Sequence, residues 1–380
     1  MSQSIDQRLL LTASLIVRNE EKFLGDCLSS LRGVVDEIVI VDTGSTDRSK
    51  GIAENAGARV HESPWNGNFS EARNRALDLS TGEWILYIDA DEQVRPESAA
   101  TLRSALSDPG YAGYEVLLHP RPGHTAYWAM RLFRNDPSIR FRGMIHENIW
   151  PALAEYAART GARIGKSALV LDHKGYEGNL EKKHARNVPL LLKGLEHEPD
   201  RVYFWCHLAS TYLDMKEPDR AKEAWMKALE IVRKRGPRLP EDILPYLALI
   251  HHTDFGCDTD ALLAEALNLF QSSVQVQWLR ARKLMNDGAF EQAILAFERI
   301  VERGNNADYD RDMAHDLRLF SVFAYDCLAT CHFRLRQYSA SRHYYDLAAR
   351  HEPDRLEYRV KRSLCERLEH QSPGSTGNGG

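Results

Sequence analysis

The sequence lacks several features, and each lack excludes a class of protein. The apolar run Leu9 to Val17 covers nine residues, whereas about 20 are needed to cross a bilayer, so we expect no transmembrane segment. The net charge is only -5 over 380 residues, which offers no basic surface for general nucleic-acid binding. The six cysteines show no disulfide-framework spacing, and we recognise no secretory signal, which favours a cytoplasmic protein with reduced thiols.

A glycine-rich phosphate loop is also missing. The first predicted strand, Leu10 to Val17, is followed by Arg18-Asn19-Glu20 and not by a G-x-G-x-x-G or P-loop pattern, which argues against a dehydrogenase or a kinase. With 43% hydrophobic and 27% charged residues, the composition is that of a soluble globular protein. A chain of 380 residues exceeds what one core usually organises, so we expect two domains.

The sequence pattern changes near residue 180. Before it, short β-type runs alternate with helical patterns, which predicts an α/β domain over residues 1–178 with a mainly parallel, Rossmann-like sheet. After it, alanines and aromatics recur at the spacing of paired helices, which predicts an all-α, tetratricopeptide-like repeat domain over residues 179–368. Residues 369–380 are expected to form a flexible, glycine-rich tail. The clearest repeat window comprises Trp205, Leu208, Ala209, Tyr212, Ala221, Trp225 and Ala228.

Two carboxylates follow the apolar strand predicted over Glu83 to Ile88. Asp89 and Asp91 are separated by one residue, and at the end of a pleated strand such a pair can project to the same side. Oxygen ligands of this kind suit a hard divalent cation. Ligands bind at the carboxyl ends of parallel strands in α/β sheets. We therefore interpret the pair as a metal site in preference to an acidic turn or a helix cap.

Polar residues also stand at the ends of the first two predicted strands. Arg18-Asn19-Glu20 follows the first strand and Asp42 ends the second. A carboxylate in that position could accept hydrogen bonds from a nucleobase or a ribose, while Ser45 or Thr46 caps the next helix. The sequence thus indicates a nucleotide site at the same edge of the sheet.

Three further residues are candidates for the functional site, and each also has an ordinary structural interpretation. Arg73 lies close to the apolar face of a helix, where it would form a salt bridge or contact a diphosphate. Glu147 stands in a glycine-containing loop and could remove a proton from a nucleophile. His173 follows a short predicted strand, and it would be a structural histidine or a metal ligand.

Four motifs together resemble glycosyltransferase family 2, in the branch joined to tetratricopeptide repeats that includes sublancin-type peptide S-glycosyltransferases and lipopolysaccharide-core glucosyltransferase-like proteins. They occur in the family's order over about residues 10 to 175, and the repeat half is a looser match. The motifs are Ser14-Leu15-Ile16-Val17-Arg18-Asn19-Glu20, Ile40-Val41-Asp42-Thr43-Gly44-Ser45-Thr46-Asp47, Ala72-Arg73-Asn74 and Tyr87-Ile88-Asp89-Ala90-Asp91-Glu92.

The resemblance implies a GT-A fold, a UDP-sugar donor, Mg²⁺ or Mn²⁺, and inversion at the anomeric carbon. By position in the family, Asp42 would bind the uracil and Arg73 the donor. Asp89 would bind the ribose or the metal, and Asp91 the metal. Arg18, Asn19 and Glu20 would lie at the donor site. Glu147 would be the catalytic base and His173 the late histidine that completes metal coordination, although His146-Glu147 replaces the Glu-Asp of many relatives.

Two alternatives remain beside a transferase. A nucleotidyltransferase also uses strand-end acids, a metal and a nucleotide, but would often carry a glycine-rich phosphate loop. A repeat scaffold could bind a nucleotide sugar without turnover. For the helical repeats, our hypothesis is a concave surface that binds an acceptor peptide, protein or glycan, or a second copy of the chain in a homodimer.

Overall fold

The computed structural model describes residues 10–175 and 180–371, with no account of the side chains of 180–185. Contacts divide the chain into two compact units. Unit 1 comprises Met1–Pro122 and Ala126–Ala224, and unit 2 comprises Gly123–Thr125 and Trp225–Gly380. The domain boundary predicted at 178/179 lies outside the described residues. Residues 369–371, predicted to belong to the flexible tail, are instead the end of the last helix (Leu356–Gln371), and the rest of the predicted tail lies outside the described residues.

Unit 1 contains one eight-stranded sheet. Its strands, in chain order, are β1 (Leu11–Val17), β2 (Glu37–Asp42), β3 (Arg59–Glu62), β4 (Trp84–Tyr87), β5 (Glu92–Val94), β6 (Tyr111–His119), β7 (Tyr127–Arg134) and β8 (Arg163–His173). The order across the sheet is β3-β2-β1-β4-β7-β6-β8-β5.

The sheet is parallel in one half and mixed in the other. Strands β1 to β4 pair in parallel, as the alternation of strands and helices predicts. β7 pairs antiparallel with both β4 and β6, while β6 and β8 are parallel and β5 is antiparallel to β8. The expected mainly parallel sheet is thus a mixed one, because β6 runs directly into β7 without the crossover helix that a parallel pair would need.

Helices follow most of these strands. Unit 1 holds α1 (Leu24–Ser30), α2 (Ser49–Asn55), α3 (Phe69–Leu79), α4 (Leu102–Leu106), α5 (Trp150–Thr160), α6 (Leu180–His197) and α7 (Val202–Asp214). α3 begins at Asn68, whose side chain accepts a hydrogen bond from the Glu71 backbone N–H. Its buried face places Ala72 and Ala76 in the interior and carries Arg73 inward with them.

The described residues after α7 are mainly helical. Helix α8 (Pro218–Arg235) crosses from one unit into the other, and unit 2 continues with α9 (Leu244–His251), α10 (Thr259–Leu269), α11 (Val274–Asn286), α12 (Phe290–Asn305), α13 (Val322–Arg334), α14 (Tyr338–His351) and α15 (Leu356–Gln371). Alanines of the repeat pattern are fully buried, for example Ala281, Ala293 and Ala329. The predicted order of an α/β domain followed by helical repeats is confirmed. None of the helices in the described part is long and apolar enough to span a bilayer.

Candidate active site

The ends of β1 and β2 meet through a network of loop hydrogen bonds. Val17 and Asp42 are register partners, and Asp42 Oδ1 accepts from the backbone N–H groups of Gly44 and Ser45 at 2.8 and 2.7 Å. Asn19, in the left-handed region at φ 56°, accepts from the Thr46 backbone N–H through Oδ1 at 2.7 Å. The predicted nucleotide residues therefore share one edge of the sheet.

Glu20 and Arg18 differ in how firmly this loop holds them. The Glu20 backbone N–H donates to Ser49 Oγ at 2.7 Å, which fixes the backbone at the end of the motif. Arg18 is exposed. Partial burial and the positive charge of Arg18 both lower the pKa of Arg186 on α6, so the two guanidinium groups lie near each other.

The short strand β5 brings Asp91 and His173 together. Because Glu92 is the register partner of His173, the residue just before β5 lies beside the end of β8. His173 Nε2 is 3.2 Å from Asp91 Oδ2. Burial disfavours the charged imidazole, but the hydrogen bond and charge of Asp91 outweigh it and raise the pKa of His173. Two of the three predicted metal ligands, Asp91 and His173, are thus adjacent.

The Asp89 carboxylate faces two arginines, whereas Asp91 faces His173. Arg73 Nη2 donates to Asp89 Oδ1 at 2.6 Å, and both terminal nitrogens of Arg131 on β7 lie 3.4 Å from Asp89 Oδ2. Arg131 also donates to Glu92 Oε1 at 2.6 Å. Burial opposes ionisation of Asp89, yet the two guanidinium groups hold the pKa of its carboxyl below the ordinary range.

Glu147 reaches the same cluster from the loop after β7. Arg73 Nε donates to Glu147 Oε1 at 2.5 Å, so one guanidinium joins Glu147 to Asp89. Arg73 is 8% exposed and lies over the ring of Tyr87, 4.9 Å from its centroid. The predicted salt bridge of Arg73 is therefore present, and it organises two of the predicted site residues.

Sequence reasoning missed Arg131 and Glu92. Arg131 is 8% exposed and Glu92 0% exposed, and burial raises the pKa of Glu92 to about 7 despite the nearby Arg131. The sequence signal that could have found Arg131 is its place between the apolar residues Met130 and Leu132 of a strand, since an unpaired charge is costly in an apolar environment.

Four carboxylates and two arginines make up this cluster. Within the described ranges, no three His, Cys, Asp or Glu side chains converge as a complete metal cage. Asp91 and His173 form a pair, and Asp89 is turned towards the arginines. The protein could thus supply two ligands to a cation, leaving other positions to a bound molecule.

Comparison with known proteins places these residues in a family. Residues 13–157 match the profile of Glycosyl transferase family 2, and residues 202–234, over α7 and most of α8, match a tetratricopeptide repeat. A TPR repeat-containing protein of Synechococcus elongatus is 34% identical over 69% of this chain and 65% of its own length. The SPbeta prophage-derived glycosyltransferase SunS of Bacillus subtilis is 28% identical over 57% of this chain and 52% of its own.

Two solved structures contain chains that are similar to part of this one. Glucosyl-3-phosphoglycerate synthase from Mycobacterium tuberculosis, crystallised with Mn²⁺, UDP and phosphoglyceric acid, has 18% identity and a TM-score of 0.38 over 50% of this chain and 78% of its own. TarS 1-349 of S. aureus, in complex with UDP-GlcNAc, has 17% identity and a TM-score of 0.38 over 68% and 91%.

The chain spans less than two thirds of both curated relatives. The family match covers most of β1 and all of β2 to β7, including Asp42, Asp89 and Asp91, and it ends before β8 and His173. It agrees with the family predicted from the motifs. Residues 13–157 are thus a domain of glycosyl transferase family 2, and a tetratricopeptide repeat follows it at residues 202–234.

Proposed function

We propose that this chain is an inverting, metal-dependent glycosyltransferase that moves a sugar from a UDP-sugar to an acceptor nucleophile. The observation that carries the proposal is the convergence at one sheet edge of the Asp91–His173 pair with Asp89 and Glu147, the latter two joined by Arg73. The similarity to SunS, named as a glycosyltransferase, supports it.

The residues present fit a divalent cation. Asp91 offers a carboxylate oxygen and His173 an imidazole nitrogen 3.2 Å apart, a ligand combination that suits Mn²⁺, while Mg²⁺ favours oxygen ligands. The cluster also holds more carboxylates than arginines, so a cation would reduce the excess negative charge. Asp91 and His173 would hold the ion, with Asp89 close by. When bound, it would stabilise negative charge on the departing diphosphate.

The donor's nucleotide would lie at the ends of β1 and β2. Asp42 is only 5% exposed, and its Oδ1 is already used by the loop, which fixes the carboxyl so that Oδ2 can accept from the uracil. Asn19 and Glu20 shape the neighbouring loop. Arg18 and Arg186, two cations brought near each other, would gain from an anionic phosphate between them.

Glu147 is our proposed catalytic base. Arg73 occupies Oε1, and no described residue donates a hydrogen bond to Oε2, which would take the proton from the acceptor as it attacks the anomeric carbon. One displacement on the face opposite to UDP inverts the configuration. Arg73 and Arg131 keep Asp89 ionised and in place, and a direct contact of Arg73 with the donor stays a prediction.

The acceptor would bind to the helical repeats. The repeats of unit 2 are suited to a peptide or protein side chain, or to a glycan. A homodimer through these helices and a cytoplasmic location are retained as predictions from the sequence.

Release of UDP from UDP-glucose and from UDP-N-acetylglucosamine, measured with and without Mn²⁺, tests the proposal. We expect release only with the metal, and a loss of about 100-fold or more in Asp91→Asn and in Glu147→Gln. Asp78→Asn on α3 removes an exposed carboxylate that pairs with Arg140; it is the matched control and should retain activity. Metal-dependent binding of UDP with zero turnover would favour the scaffold instead.

A further inference from the structure

The loop that carries Glu147 is fixed to unit 1 at three places. Its base is closed by reciprocal backbone hydrogen bonds between Arg142 and Asn148 at 3.0 and 2.8 Å. Its first half is held by the start of α3, where the Phe69 backbone N–H donates to Met144 O and Ser70 Oγ donates to Gly143 O. The third attachment is His146, next to the proposed base.

His146 packs against α7, the first helix of the matched tetratricopeptide repeat. Its ring lies 4.2 Å from the ring of His207 and 5.0 Å from that of Tyr203, centroid to centroid. Tyr203 and His207 are one helical turn apart and 4.2 Å from each other. The three rings therefore form one cluster, which we call the His146 cluster.

The backbone at His146 is in the left-handed region at φ 50°, which residues with a side chain seldom adopt. This conformation sends two successive side chains to different partners: His146 to α7, and Glu147 to Arg73. A strained conformation persists only where its surroundings impose it. The ring contacts of His146 are a sufficient cause.

Packing holds the His146 ring. Nε2 is buried and has no hydrogen-bond partner among the described residues. Burial, together with the charges of Arg201 and Arg186, lowers the pKa of His146 to about 4. Burial and His146 lower that of His207 to about 3. Both imidazoles are thus neutral near pH 7, and they can pack closely without charge repulsion.

The repeat itself does not require His207. The repeat pattern uses the neighbouring positions Trp205, Leu208, Ala209 and Tyr212, of which the last three are buried in the helical packing. The imidazole of His207 instead contacts His146 in the loop that carries Glu147. We therefore attribute this side chain to the loop and not to the repeat pattern.

We propose that Tyr203 and His207 are positioning residues for catalysis, which hold Glu147 in its reactive place through the ring of His146. The inference rests on the proposed role of Glu147 as the base. It assigns to the first repeat helix a part in the transfer reaction, because the base would lose its orientation without that helix.

The test measures UDP release by the full chain with Mn²⁺ and each of the two UDP-sugars above. We expect His207→Ala to lower kcat by about 10- to 100-fold and to change KM for the donor by less than about 2-fold, since the donor residues are untouched. His207→Phe keeps a flat ring and should restore most of kcat. His252→Ala in unit 2, which removes an imidazole stacked on Trp225, is the matched control and should leave kcat unchanged.

A double-variant cycle separates positioning from a general loss of structure. If His207 acts only through Glu147, then His207→Ala combined with Glu147→Gln is no slower than Glu147→Gln alone. Multiplied losses, a failure of phenylalanine to restore kcat, or wild-type kcat in His207→Ala beside an inactive Glu147→Gln would overturn the inference. Wild-type kcat in Glu147→Gln, or zero turnover by the unaltered protein, would instead refute the proposed function, and the inference with it.

Discussion

Unit 1 and unit 2 bury different kinds of side chain. At the sheet edge of unit 1, Arg73, Arg131 and Glu92 are at most 8% exposed. Unit 2 is packed mainly through alanines and aromatics, as where Ala293 and Phe297, both fully buried, lie in its core. Buried ion pairs are weak contributors to stability compared with apolar packing. Their concentration at one edge of unit 1 is better explained by chemistry done there than by the needs of the fold.

The largest effect is expected from removing one arginine of that edge. Arg131→Met leaves the fully buried Glu92 without its counter-charge, and we expect the free energy of unfolding to fall by about 3 kcal/mol. Proton uptake by Glu92 limits the loss, since burial raises its pKa to about 7. Urea unfolding measures this change.

The control for Arg131→Met is an arginine of unit 2. Arg350 pairs with Asp346 on α14 with its side chain 74% exposed, so Arg350→Met should cost less than about 1 kcal/mol. Equal costs for the two variants would show that the buried edge has no special energetic character.

Acid should affect unit 1 before unit 2. The pKa values of His146 and His207 are lowered to about 4 and about 3, against about 6.5 in the unfolded chain. As the pH falls below 6.5, the two histidines bind protons in the unfolded state while they stay neutral in the folded state. For each of the two histidines, stability on the order of 3 kcal/mol is therefore lost between pH 6.5 and 4.

In unit 2 the corresponding buried group is an acid, which also loses stability as the pH falls, but at lower pH than the two histidines. Burial opposes ionisation of Asp242, but hydrogen bonds from Arg235 and from the backbone of Arg238 and Leu239 lower its pKa. Its contribution is complete above the ordinary Asp value of about 3.9 and is lost only as the pH falls further. Unfolding curves at pH 7, 5.5 and 4.5 should show a smaller decline in His207→Phe and an unchanged decline in Asp242→Asn. The same decline in all three proteins would refute this assignment.

A smaller effect is expected in the packing of unit 2. A Cβ added to Gly304 on α12 would overlap the Phe320 side chain, so Gly304→Ala should destabilise by about 1–3 kcal/mol. Gly51 on α2 has open space around its missing Cβ, and Gly51→Ala should stabilise by about 0.5–1 kcal/mol because alanine favours the helix. Thermal unfolding of both variants should give shifts of opposite sign.

The strands that end in the sequence motifs could be predicted from the sequence, because their pattern is local. β1, β2 and β4 are apolar runs that end in polar residues, and this local pattern places Asp42 and Asp89 at the sheet edge. The three-residue strand β5 (Glu92–Val94) is too short for a period to show. Helix α5 (Trp150–Thr160) was also not predicted, although Pro151 at its start and Gly161 after its end are ordinary helix signals.

Contacts between residues far apart in the chain could not be predicted from the sequence pattern. The meeting of Arg131 with Asp89, or of His146 with His207, joins residues far apart in sequence and leaves no periodic trace. The adjacency of Asp91 and His173 depends on how β5 pairs with β8. The strand-end pattern predicted Asp91 as a metal ligand, and the family resemblance favoured the same role for His173, whereas the structure supplies the reason that they can act together.

The smallest change in the free energy of unfolding is expected from removing the side chain that caps a helix, and it should be similar in the two units. Asn68 begins α3 in unit 1 by accepting from the Glu71 backbone N–H at 3.3 Å, and Asp258 begins α10 in unit 2 by accepting from Ala261 at 3.0 Å. Each cap satisfies one backbone donor that the helix leaves unpaired. We expect Asn68→Ala and Asp258→Ala each to lower the free energy of unfolding by about 1 kcal/mol. A much larger loss for Asn68→Ala would mean that the start of α3, which also holds Met144 O through Phe69 N–H, is coupled to the buried charges of the site. The contrast between the units would then extend beyond the ion-paired edge to the helix that supports it.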